Sequence, residues 1–306
     1  MRIYVAGHKG LVGSALVRAI DAHPGHTWIG ASRSELNLFD KEATLEFLKS
    51  NSPDAVIIAA AKVGGIMANA TYPVEFLTEN LRIELNLLEA CHEAGIERVL
   101  FLGSSCIYPK FSSQPIKEEY LLSGALESTN EPYALAKIVG IKLVNAYRSE
   151  YGHDWVSAMP CNIFGIGDNF SLDTGHVLPV LIRRFHEALE ESSNVVVLWG
   201  SGAPLREFLH ADELADACLY MLENHHSDLH LNVGSGNEIS IRDLAYLVAD
   251  VVGYHGEIFW DHTKPDGTPR KVLDSTKLKS LGWESKASLR DGIEATYQWF
   301  KENYSK

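Results

Sequence analysis

Residues 2–20 read Arg2-Ile3-Tyr4-Val5-Ala6-Gly7-His8-Lys9-Gly10-Leu11-Val12-Gly13-Ser14-Ala15-Leu16-Val17-Arg18-Ala19-Ile20. The short apolar run Arg2–Ala6 suits a buried strand, and Leu11, Ala15, Leu16 and Ala19 fall on one side of a following helix. Between them lie three glycines in the spacing G-x-x-G-x-x-G. The first permits a tight turn, the second lets the backbone approach a pyrophosphate, and the third allows close packing of helix on strand. The helix N-terminus itself favours an anion. Strand, glycine turn and helix in direct succession predict the opening unit of a dinucleotide-binding sheet, with Gly7, His8, Lys9, Gly10, Leu11, Val12 and Gly13 at the cofactor.

Outward from this unit the alternation continues. Residues 27–30, 55–60, 98–102 and 155–159 have strand character, and 41–49, 74–93 and 132–151 have helical character. Such alternation predicts a parallel sheet with crossover helices, an α/β Rossmann-type doubly wound fold. The helices at 74–93 and 132–151 are apolar around much of their circumference, which fits either double burial within the fold or a helix-mediated homodimer. The second half is less regular. Residues 164–174 read as a loop, 176–191 and 212–223 as helices, 195–199 as a strand and 263–270 as a turn-rich segment. The expected organisation is an NADP-binding domain over 1–165, to which later segments return, and a smaller, mainly substrate-binding lobe over 166–306.

Composition narrows the function class. The chain has 306 residues, 46% hydrophobic and 22% charged, as in an ordinary globular protein. No apolar run approaches the roughly 18–20 residues that span a bilayer, and the N-terminus lacks a signal-peptide core. Cys91, Cys106, Cys161 and Cys218 are scattered, without a C-x-x-C pair, which fits a reducing cytoplasm and no metal site. A net charge of −13 argues against nucleic acid as a partner. A phosphorylated ligand then needs cations gathered locally, and Arg183, Arg184, Arg206, Lys264, Arg270 and Lys271 are the candidates. At the end of the second strand there is no acid before Glu35, whereas Ser32 and Arg33 are present and Lys9 lies in the glycine loop. Cations there suit the 2′-phosphate of NADP, not the 2′-hydroxyl of NAD.

Tyr133 and Lys137 are four residues apart and share one helix face. A phenol titrates near ~10 and is a poor acid–base group at neutral pH; a neighbouring ammonium is expected to lower it. Thr129 or Asn130 can cap this helix, and Pro132 suits its first turn. About 30 residues upstream, the strand at 98–102 ends in Gly103-Ser104-Ser105-Cys106, placing hydroxyls at a strand's carboxyl end, where α/β ligands bind. Ser104 is chosen over Ser105 as the hydroxyl that polarises a substrate carbonyl.

With these motifs in order, the chain resembles the extended short-chain dehydrogenase/reductase family and, within it, the enzymes that modify nucleotide sugars. The resemblance runs through residues 6–14, 59–66, 103–110, 130–137, 199–202, 206–210 and 264–270. It implies an NADPH-dependent enzyme that epimerises C3 and C5 of GDP-4-keto-6-deoxy-D-mannose and then reduces C4. Ser104, Tyr133 and Lys137 would serve reduction, and Cys106 with His176 would be the epimerising pair. It further implies cofactor contacts at Leu102, Gly103, Ser104, Ser105, Lys137, Pro160, Asn162, Ile163 and His176, besides the glycine loop and Arg33. Arg184, Trp199, Arg206 and Asp266 would contact the GDP-sugar. The alternatives are another epimerase or reductase of the same family, or a non-catalytic NADP-binding regulator. A dehydratase is disfavoured because Ser105-Cys106 stands where those enzymes resemble one another in carrying Asp-Glu.

Overall fold

A computed structural model describes residues 1–264 and 266–304; Pro265, inside the turn-rich stretch at 263–270, lies outside them. The first half runs β1 (Arg2–Ala6), α1 (Leu11–Ala22), β2 (Thr27–Ile29), α2 (Lys41–Asn51), β3 (Ala55–Ile58), α3 (Ile66–Thr71), α4 (Pro73–Glu93), β4 (Arg98–Leu102), α5 (Glu131–Tyr151) and β5 (Asp154–Pro160). The second continues with β6 (Asn162–Phe164), α6 (Val177–Glu190), β7 (Val195–Trp199), β8 (Leu205–His210), α7 (Ala211–Asn224) and β9 (Leu231–Val233). It ends with β10 (Glu238–Ser240), α8 (Ile241–Val252), β11 (Glu257–Asp261), β12 (Arg270–Lys271), α9 (Thr276–Ser280) and α10 (Leu289–Asn303).

Six parallel strands form the central sheet in the order β2-β1-β3-β4-β5-β9. Every residue of β3 and β4 is buried, because helices cover both faces and leave no side for polar alternation. The chain leaves β1 for β2 on one side and returns to β3 on the other. The crevice at the carboxyl ends of β1 and β3 is therefore the topological switch point.

From the second half, β9 pairs with β5 and α7 packs on β4 and β5. Buried Arg98 on β4 donates to the carbonyls of Met221 (2.9 Å), Leu222 (2.7 Å) and His225 (2.6 Å), at and just beyond the last turn of α7. A guanidinium there satisfies carbonyls that the helix leaves open and complements its negative end. Beyond the sheet, β8 pairs with β10, β12 and β6, while β7 pairs with β11. A second apolar core, with Phe170, Ile182, Phe185, Leu244 and Ile293, lies among these elements. Among the described residues, no helix is long and apolar enough to cross a membrane.

The stretch at 164–174 is a loop after β6, but it is not simply solvated. Asp168 is buried, and its carboxylate accepts the Asn169 N–H at 2.7 Å. Burial pushes its carboxyl up from 3.8 to about 7. The folded chain therefore binds more protons than the unfolded chain between these values, and the stability contributed here falls as pH rises through that window. Asp168→Asn is expected to raise stability at pH ~8 by on the order of 1–3 kcal/mol and to change it little near pH ~4. Thermal melts at both pH values test this, and equal shifts would refute it.

Candidate active site

The glycine turn packs backbone on backbone so closely that side chains at Gly7 and Gly13 would collide with it. Gly7 has φ +86°, and a Cβ there would lie 2.8 Å from the backbone N and Cα of Ala60 after β3. A Cβ on Gly13 would collide with the Gly7 carbonyl. Gly10 begins α1 without a side-chain cap, so the first N–H groups of the helix stay available for an anion. An uncapped helix end behind a turn that only glycines can pack fits a dinucleotide pyrophosphate. Gly13→Ala is expected to cost about 1–3 kcal/mol by overpacking and to weaken NADPH binding at least ~10-fold. A melting curve and a nucleotide-fluorescence titration read both; unchanged binding would place the pyrophosphate elsewhere.

At the end of β2, the Ser32 N–H and hydroxyl donate to Glu35 at 2.7 and 2.6 Å. These bonds hold the Glu35 carboxyl below its ordinary range. The nearest acid is thus turned onto its own turn, and exposed Arg33 lies over the Phe39 ring at 5.6 Å without a carboxylate partner among the described residues. His8 packs its ring on Gly30, where a Cβ would lie 2.7 Å from it. Burial, helped by Lys9, keeps the His8 imidazole below its ordinary value.

The catalytic candidates converge beyond β4. Gly140 in α5 fits against the Phe101 ring so closely that a Cβ would overlap it. This approach places Lys137, one turn earlier, with Nζ 4.8 Å from the Phe101 centroid and 6.0 Å from that of Tyr133. Leu102 is buried, Gly103 packs on Met159, and Ser104 stands at the mouth of the turn. Ser105 is buried. The sequence expectation that Lys137 lowers the phenol does not hold. The Tyr133 hydroxyl is pushed well above its ordinary value by burial, then by Cys106 and Glu84, with a Ser104 hydrogen bond opposing. The physical reason is that Lys137 is already paired: Glu84 on α4 lies 3.1 Å from its ammonium, and both side chains are buried.

Cys106 is half-buried and contacted from two sides. Asn130 Nδ2 donates to its sulfur at 3.3 Å, and Lys271 Nζ lies 3.6 Å from it. Asn130 occupies the N-cap position of α5 but makes no side-chain cap, and the Thr129 hydroxyl turns to Glu127. The expected capping is therefore replaced by contact with the thiol. Lys271 also acts on His176, the residue before α6. That imidazole is open to solvent yet walled by protein, and burial and the Lys271 charge lower its pKa. Lys271 is held by β12, which pairs with β8, and buried Glu207 on β8 accepts N–H bonds from Gly236 (2.6 Å) and Leu273 (3.0 Å). Pro160 ends β5; Asn162 and Ile163 begin β6, and the Asn162 amide donates to the Glu207 carbonyl at 2.7 Å.

A separate cluster carries the other candidates. The Arg184 guanidinium donates to the Val197 carbonyl at 2.9 Å, and Arg206 to the Leu205 carbonyl at 2.8 Å. Neither has a carboxylate partner among the described residues. Trp199 is 60% exposed and so is not a core residue, and Lys264 lies over its ring at 5.5 Å. Asp266 accepts the Ser201 N–H and hydroxyl at 2.8 and 2.6 Å. The wider set of phosphate-binding cations shrinks. Arg183 is paired with Glu187 at 2.6 Å, Arg270 with Glu238 at 2.7 Å, and Lys271 turns to Cys106.

The model of the NAD dependent epimerase/dehydratase family matches residues 3–234. The chain belongs to this family. It is 53% identical over 302 residues to GDP-L-fucose synthase 1 of Arabidopsis thaliana, covering 99% of this chain and 94% of that protein. It is 49% identical to GDP-L-fucose synthase of Escherichia coli, covering 99% and 97%. Among solved structures, a GDP-L-fucose synthetase from Naegleria fowleri bound to NADP superposes with a TM-score of 0.91 at 28% identity, covering 100% and 95%. The family match spans the glycine turn, Tyr133, Lys137, Cys106 and Arg206, but not Lys271 or Asp266.

Sequence reasoning missed the part that three groups play at this cleft. Glu84 is one of five glutamates on α4, and nothing in the sequence separates it from Glu75, Glu79, Glu89 and Glu93, so its burial carried no signal. Asn130 was read as a cap, and Lys271 as a phosphate ligand.

Proposed function

We propose that this chain converts GDP-4-keto-6-deoxy-D-mannose to GDP-L-fucose, inverting C3 and C5 and then reducing C4. The observation that carries the reading is the meeting of two different proton-transfer sets at one cleft: Tyr133 with Ser104, and Cys106 with Asn130, Lys271 and His176. A reductase alone needs only the first. The near-50% identity to proteins named GDP-L-fucose synthase over almost the full chain supports the same substrate.

The C4 ketone acidifies the C–H bonds on either side of it, because the carbanion delocalises onto oxygen. Cys106 takes a proton from one face, with Lys271 and Asn130 stabilising the sulfur's negative charge. His176 returns a proton on the other face, and an imidazolium with a lowered pKa is the stronger acid for that step. Ser104 and Tyr133 hold the C4 oxygen while charge develops there. Tyr133 then gives its proton to that oxygen. NADPH, held by residues 7–13, Arg33 and Lys137, supplies the hydride when bound. Arg184 and Arg206 face the diphosphate, and Trp199 and Asp266 bind the rest of the nucleotide.

The scattered free cysteines support a cytoplasmic setting. Leu85 on α4 and Leu135 and Val139 on α5 leave apolar surface outward, which supports a homodimer through those helices. The test of the reaction is direct. Protein, NADPH and GDP-4-keto-6-deoxy-D-mannose are mixed in heavy water, and the product is read by NMR. GDP-L-fucose carrying deuterium at C3 and C5 is expected; a product with hydrogen retained at both would sink the epimerase half.

A further inference from the structure

Residues 59–66 carry part of the family resemblance, yet the proposed reaction uses none of them. They run from the end of β3 into α3, and two buried amides fix their course. Asn80 on α4 accepts the Lys62 N–H at 2.8 Å and donates to the Lys62 carbonyl at 3.1 Å. Asn69 on α3 donates to the carbonyls of Gly64 and Gly65 at 2.8 and 3.1 Å. The segment held in this way meets the loop that leads into His176. The Gly65 N–H donates to the Thr174 carbonyl at 3.1 Å, and a Cβ on Gly65 would lie 2.9 Å from the Gly175 carbonyl oxygen. Gly65 has φ −66° and ψ 177°, a backbone open to residues with side chains. The contact, not the conformation, therefore requires glycine there. Gly175 is enclosed from its own loop as well: a Cβ on it would lie 2.5 Å from the Asn169 carbonyl oxygen and 2.6 Å from that of Ser171.

Resting on the reading above, we infer that Gly65 is a positioning residue for His176, fixing where its imidazole stands relative to Cys106. The Gly175 carbonyl belongs to the peptide unit whose nitrogen is that of His176. On its other side, the His176 carbonyl accepts the Val180 N–H at 3.1 Å and opens α6. The imidazole thus hangs between a helix start and a glycine-on-glycine contact. A side chain at position 65 has to push that peptide aside, and the imidazole moves with it. Misplacing a reacting group by about 1 Å costs on the order of 10²-fold, so a few tenths of an ångström cost several-fold or more. The consequence is specific to inversion. Cys106 still takes the proton, and the electron pair of the C–H bond passes to the C4 oxygen. With His176 displaced, the new C–H bond forms from the same sulfur, on the face the proton left. The carbon keeps its configuration, and because a thiol exchanges with water, in heavy water it gains deuterium.

The experiment follows Gly65→Ala with NADPH and GDP-4-keto-6-deoxy-D-mannose in heavy water, reading C3 and C5 of product and recovered substrate by NMR. In the wild type, the carbons that gain deuterium should be the inverted ones. In Gly65→Ala, inversion at saturating substrate should fall about 10-fold, while deuterium enters carbons of unchanged configuration. NADPH affinity, from a fluorescence titration, should match the wild type, with circular dichroism checking the fold. Should this variant not fold, Asn69→Ala, which releases the Gly64 and Gly65 carbonyls, should lower the ratio of inversion to exchange by less. Two outcomes would overturn the proposal: a wild-type ratio in the folded variant, or inversion and exchange lost equally. His176→Asn, run alongside, separates the two levels. If that variant exchanges without inverting while Gly65→Ala matches wild type, only the role of Gly65 falls. If His176→Asn inverts both carbons normally, the underlying assignment of His176 falls.

Discussion

Tyr133→Phe is expected to lower NADPH-dependent reduction by about 10²–10⁴-fold, the usual loss on removing a general acid. In the proposed reaction the phenol delivers the proton to the C4 oxygen, and Ser104 beside it polarises that oxygen. The substitution removes one oxygen and leaves the ring, which packs edge-on against Phe76 at a centroid distance of 6.4 Å. Lys137 keeps its pairing with Glu84. Cofactor binding should therefore persist, with an NADPH dissociation constant close to that of the wild type. Hydrogen exchange at C3 and C5 should also continue, slowed only by the loss of one hydrogen bond to the enolate oxygen. Stopped-flow absorbance and NMR in heavy water separate the two readouts. Wild-type reduction in this variant would exclude Tyr133 as the acid.

The first half of the fold was legible because its strands are buried on both faces. Residues 98–102 and 55–58 are continuous apolar or enclosed runs, and each is followed by a glycine or small-residue turn, so strand ends and helix starts are marked in the chain itself. The second half was harder for a physical reason. β6, β9 and β10 are three residues long, too short for any periodicity, and they gain their pairing from strands far away in sequence. α8 is a different case. Leu244, Ala245, Val248, Ala249 and Val252 recur at helical spacing after a capping Ser240, so the signal was present and unread.

For the site, what could be read was the identity of groups, and what could not was their state. Tyr133 and Lys137 follow from a four-residue spacing, but the charge on the pair depends on Glu84, 53 positions before Lys137. The same holds for Arg270. Its fork suits a phosphate, yet β10 brings Glu238 alongside and occupies it. Long-range pairings decide which cations remain free, and Arg270 is removed from the phosphate candidates in this way while Arg184 and Arg206 are not.

Lys271 is where this matters most, and its removal carries the second large expected effect. Cys106→Ser should slow C3/C5 exchange by about 10²–10⁴-fold, because a serine hydroxyl at the same position is a far weaker acid than a thiol and does not ionise near neutral pH. Lys271→Met should slow the same exchange by about 10–100-fold, the equivalent of one charge-assisted hydrogen bond. Two assignments compete for this lysine. As a phosphate ligand it would act on binding, so its loss would raise KM and leave exchange at saturating substrate unchanged. As the cation beside the Cys106 sulfur, 3.6 Å away, it acts on the proton-transfer step, so exchange at saturation falls while KM moves little. Combining the two changes sharpens the choice. If Lys271 works through the sulfur, its removal in a Cys106→Ser background costs almost nothing further, because the charge it stabilised is already gone. Full additivity of the two losses would return Lys271 to the phosphates and leave Asn130 as the thiol's only polar partner.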